Sequence, residues 1–336
     1  LSPASCRSGT HREVRGVAAP SGYVTAARCQ TAGTSASGNS AILGAISPAI
    51  VGGTVDENGD AVATNLHEVV DAQTREAKLS TAVMPPMRDL RTETTRSRVG
   101  TRLAWMTDLH LDFIDETDRA ALAASVVAAN VDGVVVTGDI ATADDVLETI
   151  DDLARAVHVP LWFVLGNHDF YGGSIADVRS RAAASTALGG PPWLEVAGAV
   201  RLGPGTALVG VDGWGDTRLG DFAGSRVVLN DFLRIDELTG VHRAVLRERL
   251  AALGDAAAAV LRPALEAALA WADHVVVATH VPPFRDACWH QGVISADDWL
   301  PFFACGAVGD VLGNAAASHP HVQFTVLCGH THGAGE

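Results

Sequence analysis

The sequence predicts an α/β domain with a largely parallel sheet. From residue 100 onward, short apolar runs rich in branched residues alternate with longer stretches of helical composition and spacing, the pattern of strands that return through crossover helices. In addition, five of the apolar runs are followed within a few residues by aspartate, asparagine or histidine, as expected where a parallel sheet gathers polar groups at its carboxyl edge.

The runs Leu103–Met106, Val131–Val136, Leu161–Leu165, Ala207–Val211, His274–Ala278 and Val322–Leu327 are each short and almost wholly apolar, so they fit strands covered on both faces. Helices are expected over Thr117–Ala129, Ala143–Ala154, Ser174–Leu188, Val241–Ala272 and Ala296–Ala317. The fourth is expected to be interrupted near Gly254 and Pro263, both poor helix-interior residues. No internal repeat is visible.

The chain has 336 residues, 48% of them hydrophobic, enough for one large or two medium domains. The domain division expected is 1–99 and 100–336. Residues 1–99 carry a net charge of +1 and the remainder −16, together the −15 of the whole chain. Of the 18 aromatic residues only Tyr23 precedes position 100, and without large apolar side chains a segment cannot readily offset its ordering entropy. Residues 1–99 are therefore read as a disordered, loosely packed or non-native segment. The first methionines are Met84 and Met87, and the natural domain is expected to begin near them.

The acidic balance disfavours nonspecific binding of nucleic acid or anionic membranes, which rely on clustered positive charge. The uncharged stretch from Gln30 to Val55 is broken by Gly44, Ser47 and Pro48. It is too interrupted for a membrane span, which takes about 20 mostly apolar residues, and lacks the order of a signal peptide. Five cysteines, none spaced as Cys-x-x-Cys, argue against a disulfide framework and favour a reducing, cytoplasmic setting.

The polar groups at the strand ends are Asp108 and His110; Gly138 and Asp139; Gly166, Asn167, His168 and Asp169; His280; and Gly329, His330 and His332. Each cluster alone is ordinary turn chemistry, but their recurrence after successive strands predicts a joint metal site. Histidine, carboxylate and an amide carbonyl without thiolate suit Mn, Fe, Zn, Co or Ni as divalent ions. The ligands outnumber the capacity of one ion, and a bridging carboxylate fits a two-metal hydrolytic site. Two such ions, two aspartates and a bridging hydroxide leave the pocket at about +1, the positive field that the acidic chain otherwise lacks.

The ordered set Asp108-x-His110, Gly138-Asp139, Gly166-Asn167-His168-Asp169, His280 and Gly329-His330-x-His332 resembles the calcineurin-like metallophosphoesterases over about residues 101–333. The resemblance implies a four-layer α/β/β/α sandwich. Its implied roles are Asp108, His110 and His332 on a first metal, Asn167, His280 and His330 on a second, and Asp139 bridging. His168 is the implied non-ligand histidine that assists the leaving oxygen. Family members usually continue past the last histidine motif, so the chain is expected to lack its last C-terminal strands.

The resemblance also implies hydrolysis of a phosphoric ester by a hydroxide shared between the metals. Thr142 stands where purple acid phosphatases carry a tyrosine, and Ile140-Ala141-Thr142-Ala143 replaces the continuation seen in protein serine/threonine phosphatases. The reading is thus a small-substrate phosphodiesterase, with a phosphomonoesterase or nucleotidase and a non-catalytic metal-binding scaffold as alternatives. Trp214, Arg285 and His290 are expected to contact substrate, through stacking and a phosphate clamp.

Overall fold

The computed structural model describes residues 101–290 and 292–333 together with three short strands nearer the start. Apart from those strands, the expectation for residues 1–99 lies outside the described residues. The elements in chain order are β1 (Tyr23–Ala27), β2 (Val51–Val55), β3 (Ala61–Asn65), β4 (Leu103–Met106), α1 (Glu116–Ala128), β5 (Gly133–Thr137), α2 (Val146–Val157), β6 (Leu161–Val164) and α3 (Ile175–Ala187). There follow α4 (Leu194–Ala197), β7 (Val200–Arg201), β8 (Thr206–Val211), α5 (Asp231–Arg234), α6 (Arg243–Leu269) and β9 (His274–Thr279). The last are β10 (Trp289–His290), β11 (Val293–Ile294), α7 (Leu300–Phe303), α8 (Gly306–Ser318) and β12 (Gln323–Cys328).

Two sheets carry the fold. One is wholly parallel in the order β4-β5-β6. The other runs β1-β12-β9-β8-β7, parallel except for the antiparallel β7–β8 pair. Successive residues of a strand face opposite sides, and the cores separate by that rule. Ala104, Met106, Val134, Val136, Leu161 and Phe163 turn outward into a core shared with α1, α2 and α3. Their neighbours Leu103, Trp105, Val135 and Val164 turn inward and meet Leu208, Val276, Ala278 and Leu327 of the second sheet. On its far face, Ala207, Val209, Val275, Val277, Phe324 and Val326 pack on α6 and α8. The result is the four-layer α/β/β/α sandwich. Burying each of these Val, Leu or Phe side chains is worth about 1.5–3 kcal/mol, so slipping any strand by one residue would exchange two cores at once.

The structure differs from expectation in two helices. α6 continues unbroken for 27 residues through Gly254 and Pro263. Gly254 is a place of close approach, since a side chain there would strike Asp216; the helix's apolar face outweighs the local cost of both residues. The helix expected over 296–317 is instead two, because Ala304 between them is extended. Cys305 N donates to Pro282 O (2.8 Å), and Asp216 Oδ2 accepts from Ala307 N (2.8 Å) at the start of α8.

Candidate metal centre

The loops after β4 and β5, and separately those after β9 and β12, are stitched together by backbone bonds that continue the sheet pairing. Asp108 N donates to Gly138 O (3.1 Å), His110 N to Asp139 O (2.9 Å) and Gly329 N to His280 O (2.9 Å). Between the sheets, Asp108 Oδ1 accepts from His330 N (3.0 Å) and Thr137 O accepts from His280 Nδ1 (2.8 Å), which brings both carboxyl edges to one place. Asp108, His110, Asp139, His330 and His332 all have positive φ, between 43° and 71°. A non-glycine residue there costs about 1–3 kcal/mol, and such outliers persist where a site demands them. The motif glycines are needed for proximity: a Cβ on Gly166 would overlap Asp139, and one on Gly329 would overlap Thr107 and Asp108.

The side chains form two adjoining groups. In the first, Asp108, His110, Asp139 and His332 each offer a ligand atom within 4.8 Å of the others, with His332 Nε2 3.3 Å from Asp108 Oδ1. In the second, Asn167 Oδ1 lies 3.0 Å from His280 Nε2 and 2.8 Å from His330 Nδ1, and the two ring nitrogens are 3.2 Å apart. Asp139 borders both groups, its Oδ1 3.3 Å from His280 Nε2 and its Oδ2 3.9 Å from His110 Nε2.

Hydrogen-bond partners fix the lone pairs of the second group. Carbonyl oxygens only accept, so His280 Nδ1 donates to Thr137 O (2.8 Å) and His330 Nε2 to Phe302 O (3.1 Å). Asn167 Nδ2 donates to Asp231 Oδ1 (2.9 Å), which turns Oδ1 inward. A neutral His330 therefore points the Nδ1 lone pair at the Asn167 carbonyl, two acceptors 2.8 Å apart. Burial, then the charge of His280, pushes His330 down to about 3 and keeps it neutral. A cation held between them would relieve the repulsion.

The carboxylates are correspondingly held in their charged form. Burial opposes it, but the bond and charge of His332 keep Asp108 well below the usual carboxylate range. Against the same burial penalty, His280, His168 and His110 hold Asp139 at about 2. His332, although buried, is pulled up to about 9 by Asp108. The ionised aspartates and the neutral His330 are in the states that ligate divalent ions, whereas His332 would release its proton on binding one.

The calcineurin-like phosphoesterase family model matches residues 101–334. The chain belongs to the calcineurin-like phosphoesterases. This phosphoesterase is a hydrolase of phosphoric esters, and its family uses a dinuclear divalent metal centre, for which the Asp/His cluster supplies a fitting donor set. Among solved structures it is similar to a phosphopantetheinyl hydrolase from Mycobacterium tuberculosis, with 19% identity over 68% of this chain and 82% of that one and a TM-score of 0.47. It is also similar to a dimetal phosphatase from Danio rerio, with 18% identity over 68% and 79% of the two chains and a TM-score of 0.38. Comparison with curated protein sequences gives no match.

His168 adjoins the phosphoesterase's centre without entering either group. Its backbone N donates to Asp139 Oδ1 (2.9 Å), its Nε2 is 4.0 Å from Asp139 Oδ2, and its ring stacks on Tyr171 at 4.2 Å. Burial lowers it to about 4 despite Asp139. The residues expected to contact substrate occupy three settings. Trp214 is buried against Phe170, 5.5 Å between ring centroids, and lines a small cavity behind Asn167 and His330. Arg285 pairs with Asp297 at 2.6 Å. His290 does reach the β12 loop, where its Nδ1 donates to Thr331 O (2.8 Å), and its ring stacks with Trp299.

Supporting groups lie one layer back: Asp169, part of the motif but without a role assigned from the sequence, and Asp212 and Glu195, which the sequence did not mark. Asp169, buried, accepts from Ile140 N (2.7 Å), Ala141 N (2.9 Å) and Gly166 N (2.7 Å), so it clasps the β5 and β6 loops. Asp212 accepts from Leu165 N (2.8 Å), Trp193 Nε1 (2.9 Å) and Arg179 (3.0 Å), and its carbonyl accepts from His280 N (2.9 Å). Glu195 Oε1 accepts from Asp212 N (3.0 Å). Burial, then the charge of Asp212, pushes Glu195 up to about 8 against the pull of Arg179.

An acid whose pKa is raised on folding binds its proton more tightly in the native state, so stability falls as pH rises from the unfolded value towards the folded one. Glu195→Gln keeps the amide-accepting oxygen and mimics the protonated acid. Its melting temperature is expected to match the parent's near pH 5 and to exceed it increasingly up to about pH 8. A constant difference across that range would show that Glu195 is ionised throughout.

Proposed function

We propose that this phosphoesterase hydrolyses a small phosphodiester. The observation that carries a metal-dependent reading is the facing pair of acceptors, Asn167 Oδ1 and His330 Nδ1, 2.8 Å apart. Asp108, His110 and His332 would hold one ion and Asn167, His280 and His330 the other, with Asp139 shared. Divalent ions so held would lower the pKa of bound water towards neutrality and polarise phosphoryl oxygens.

The chain's own residues do the rest. His280 and His330 are locked in their ligating tautomers by Thr137 O and Phe302 O, the outer-shell bonding that orients ligand histidines. His168, partly exposed and tethered through its backbone to Asp139, presents a ring N–H to the leaving oxygen and stabilises the charge that develops there. A diester bears a second organic group, and flat side chains at the centre offer it a surface. Phe113, 59% exposed, stands 6.1 Å from His110, and Trp299, 38% exposed, stacks with His290. Among the described residues no helix is long and apolar enough to cross a membrane. The described cysteines Cys288, Cys305 and Cys328 are free thiols, which supports a cytoplasmic setting.

The test is hydrolysis of an aryl phosphodiester and the matching monoester side by side with Mn²⁺. Diester turnover is expected to be the faster, to stop with chelator and to return with Mn²⁺. Faster monoester turnover would reverse the substrate class, and no turnover by protein shown to carry two ions would make it a scaffold.

A further inference from the structure

We infer that Asp231, on the short helix α5, is a positioning residue that sets the orientation of Asn167 and, through Tyr171, of His168. This deepens the reading of Asn167 as a metal ligand and of His168 as the leaving-group donor, and rests on it.

Asp231 is buried and its Oδ1 accepts from both Asn167 Nδ2 (2.9 Å) and Tyr171 OH (2.6 Å). An amide side chain is nearly symmetric in shape, so only a partner decides which end faces the centre. A carboxylate oxygen on the far side admits one answer, with the nitrogen outward and the carbonyl towards His280 and His330. The second bond holds the Tyr171 hydroxyl, and the Tyr171 ring lies under His168, 4.2 Å between centroids and 28° from parallel. The Arg234 guanidinium also lies over the Tyr171 ring, at 4.8 Å. One oxygen thus constrains a candidate ligand and, one residue along the chain, the histidine that faces the leaving oxygen.

The element that brings Asp231 is itself pinned to the β6 loop. Gly172 N donates to Arg234 O (2.8 Å), Asp236 N donates to Gly173 O (3.0 Å), and Gly173 and Ile235 form a parallel bridge. Glu237 then accepts from Ser174 Oγ (2.8 Å) and Ile175 N (2.9 Å) at the start of α3. Residues 231–237 are therefore a strap running beside 171–176, and Asp231 is its inner end. A surface carboxylate could not fix a ligand in this way, because its own rotamer would be free; here burial and the strap hold it.

The experiment is calorimetric titration of Mn²⁺ into the metal-free full-length chain, comparing the parent with Asp231→Ala, Asp231→Asn and Tyr171→Phe, each checked for a cooperative melt. In Asp231→Ala one binding event is expected to weaken about 10- to 100-fold, the usual cost of an outer-shell partner, while the other stays within about threefold of the parent. Asp231→Asn can place a carbonyl oxygen where Oδ1 stands and accept both bonds, so it is expected to restore the affinity. Tyr171→Phe removes the longer contact from Asn167 Nδ2 to the Tyr171 hydroxyl (3.4 Å) but leaves the bond to Asp231, so it is expected to preserve both events while lowering kcat with KM unchanged. Parent-like binding by Asp231→Ala, or equal losses in Asp231→Ala and Asp231→Asn, would overturn the inference. Should Asp231→Ala fail to melt cooperatively, Asp231→Asn and Tyr171→Phe decide it: a loss of binding in either overturns it, and retention by both with the kcat loss in Tyr171→Phe supports it. A parent that binds two ions without hydrolysing any ester would instead overturn the proposed function and leave the binding result standing.

Discussion

His168→Ala is expected to lower kcat by about 10² to 10⁴ while the metal content stays at the parent's level. The separation of the two effects follows from how the residue is held. The bond that ties position 168 to Asp139 comes from the backbone N, so it survives truncation to alanine, and Asp139 keeps its place. What disappears is the ring, which adjoins His110 at 4.5 Å but belongs to neither ligand group. A donor to the leaving oxygen matters most when that oxygen is basic. The loss is therefore expected to be largest for an alkyl ester and smallest for an activated aryl ester, whose departing oxygen needs little help. Equal losses on both esters, or an unchanged kcat, would remove His168 from the chemistry; a loss accompanied by missing metal would make it a ligand.

The strands were legible in the sequence because parallel strands buried on both faces must be apolar along their whole length, as Leu103–Met106 and the run through Val136 are. The convergence of Asp108, Asp139, Asn167, His280 and His330 was legible for a related reason. Strands of one direction end at one edge, so residues following them meet whatever their separation in the chain. Asp231 and Tyr171 were not legible. Asp231 follows a long irregular segment whose path no periodicity encodes, and its role depends on a strap made by backbone bonds to Gly172 and Gly173. Thr137 and Phe302 act through their carbonyls, which every residue type possesses. Trp214 shows that burial is harder to read than position: its glycine-rich loop folds inward, so that the ring joins the core beside Phe170 and lines a small cavity with Asn167 and His330. Gly254 misled because a helix glycine marks either weakness or close approach, and only the position of Asp216 decides between them.

Asp139→Asn is expected to weaken both metal sites together, by more than the 10- to 100-fold typical of an outer-shell change, leaving fewer than two ions per chain at micromolar metal. Asp139 is the group that borders both clusters, facing His280 through one oxygen and His110 through the other. It is also held at about 2 by the histidines around it, against its own burial, so its charge is fully developed at any pH where the fold is stable. Asparagine is nearly isosteric and keeps an oxygen to accept the His168 N–H, so loop geometry is largely preserved. It removes the negative charge, however, and turns an amide nitrogen, which cannot ligate, towards one of the two groups. The metal dependence of the stability change separates this from simple damage. Without metal, a carboxylate that the surrounding histidines hold in its charged form, 3.3 Å from His280, becomes a neutral amide, and a modest fall in melting temperature is expected. With excess Mn²⁺ the parent gains the free energy of binding and the variant does not, so the gap between the two melting curves should widen when metal is added. Metal analysis showing two ions in the variant, or an equal metal-induced rise in both proteins, would assign Asp139 to one site or to neither.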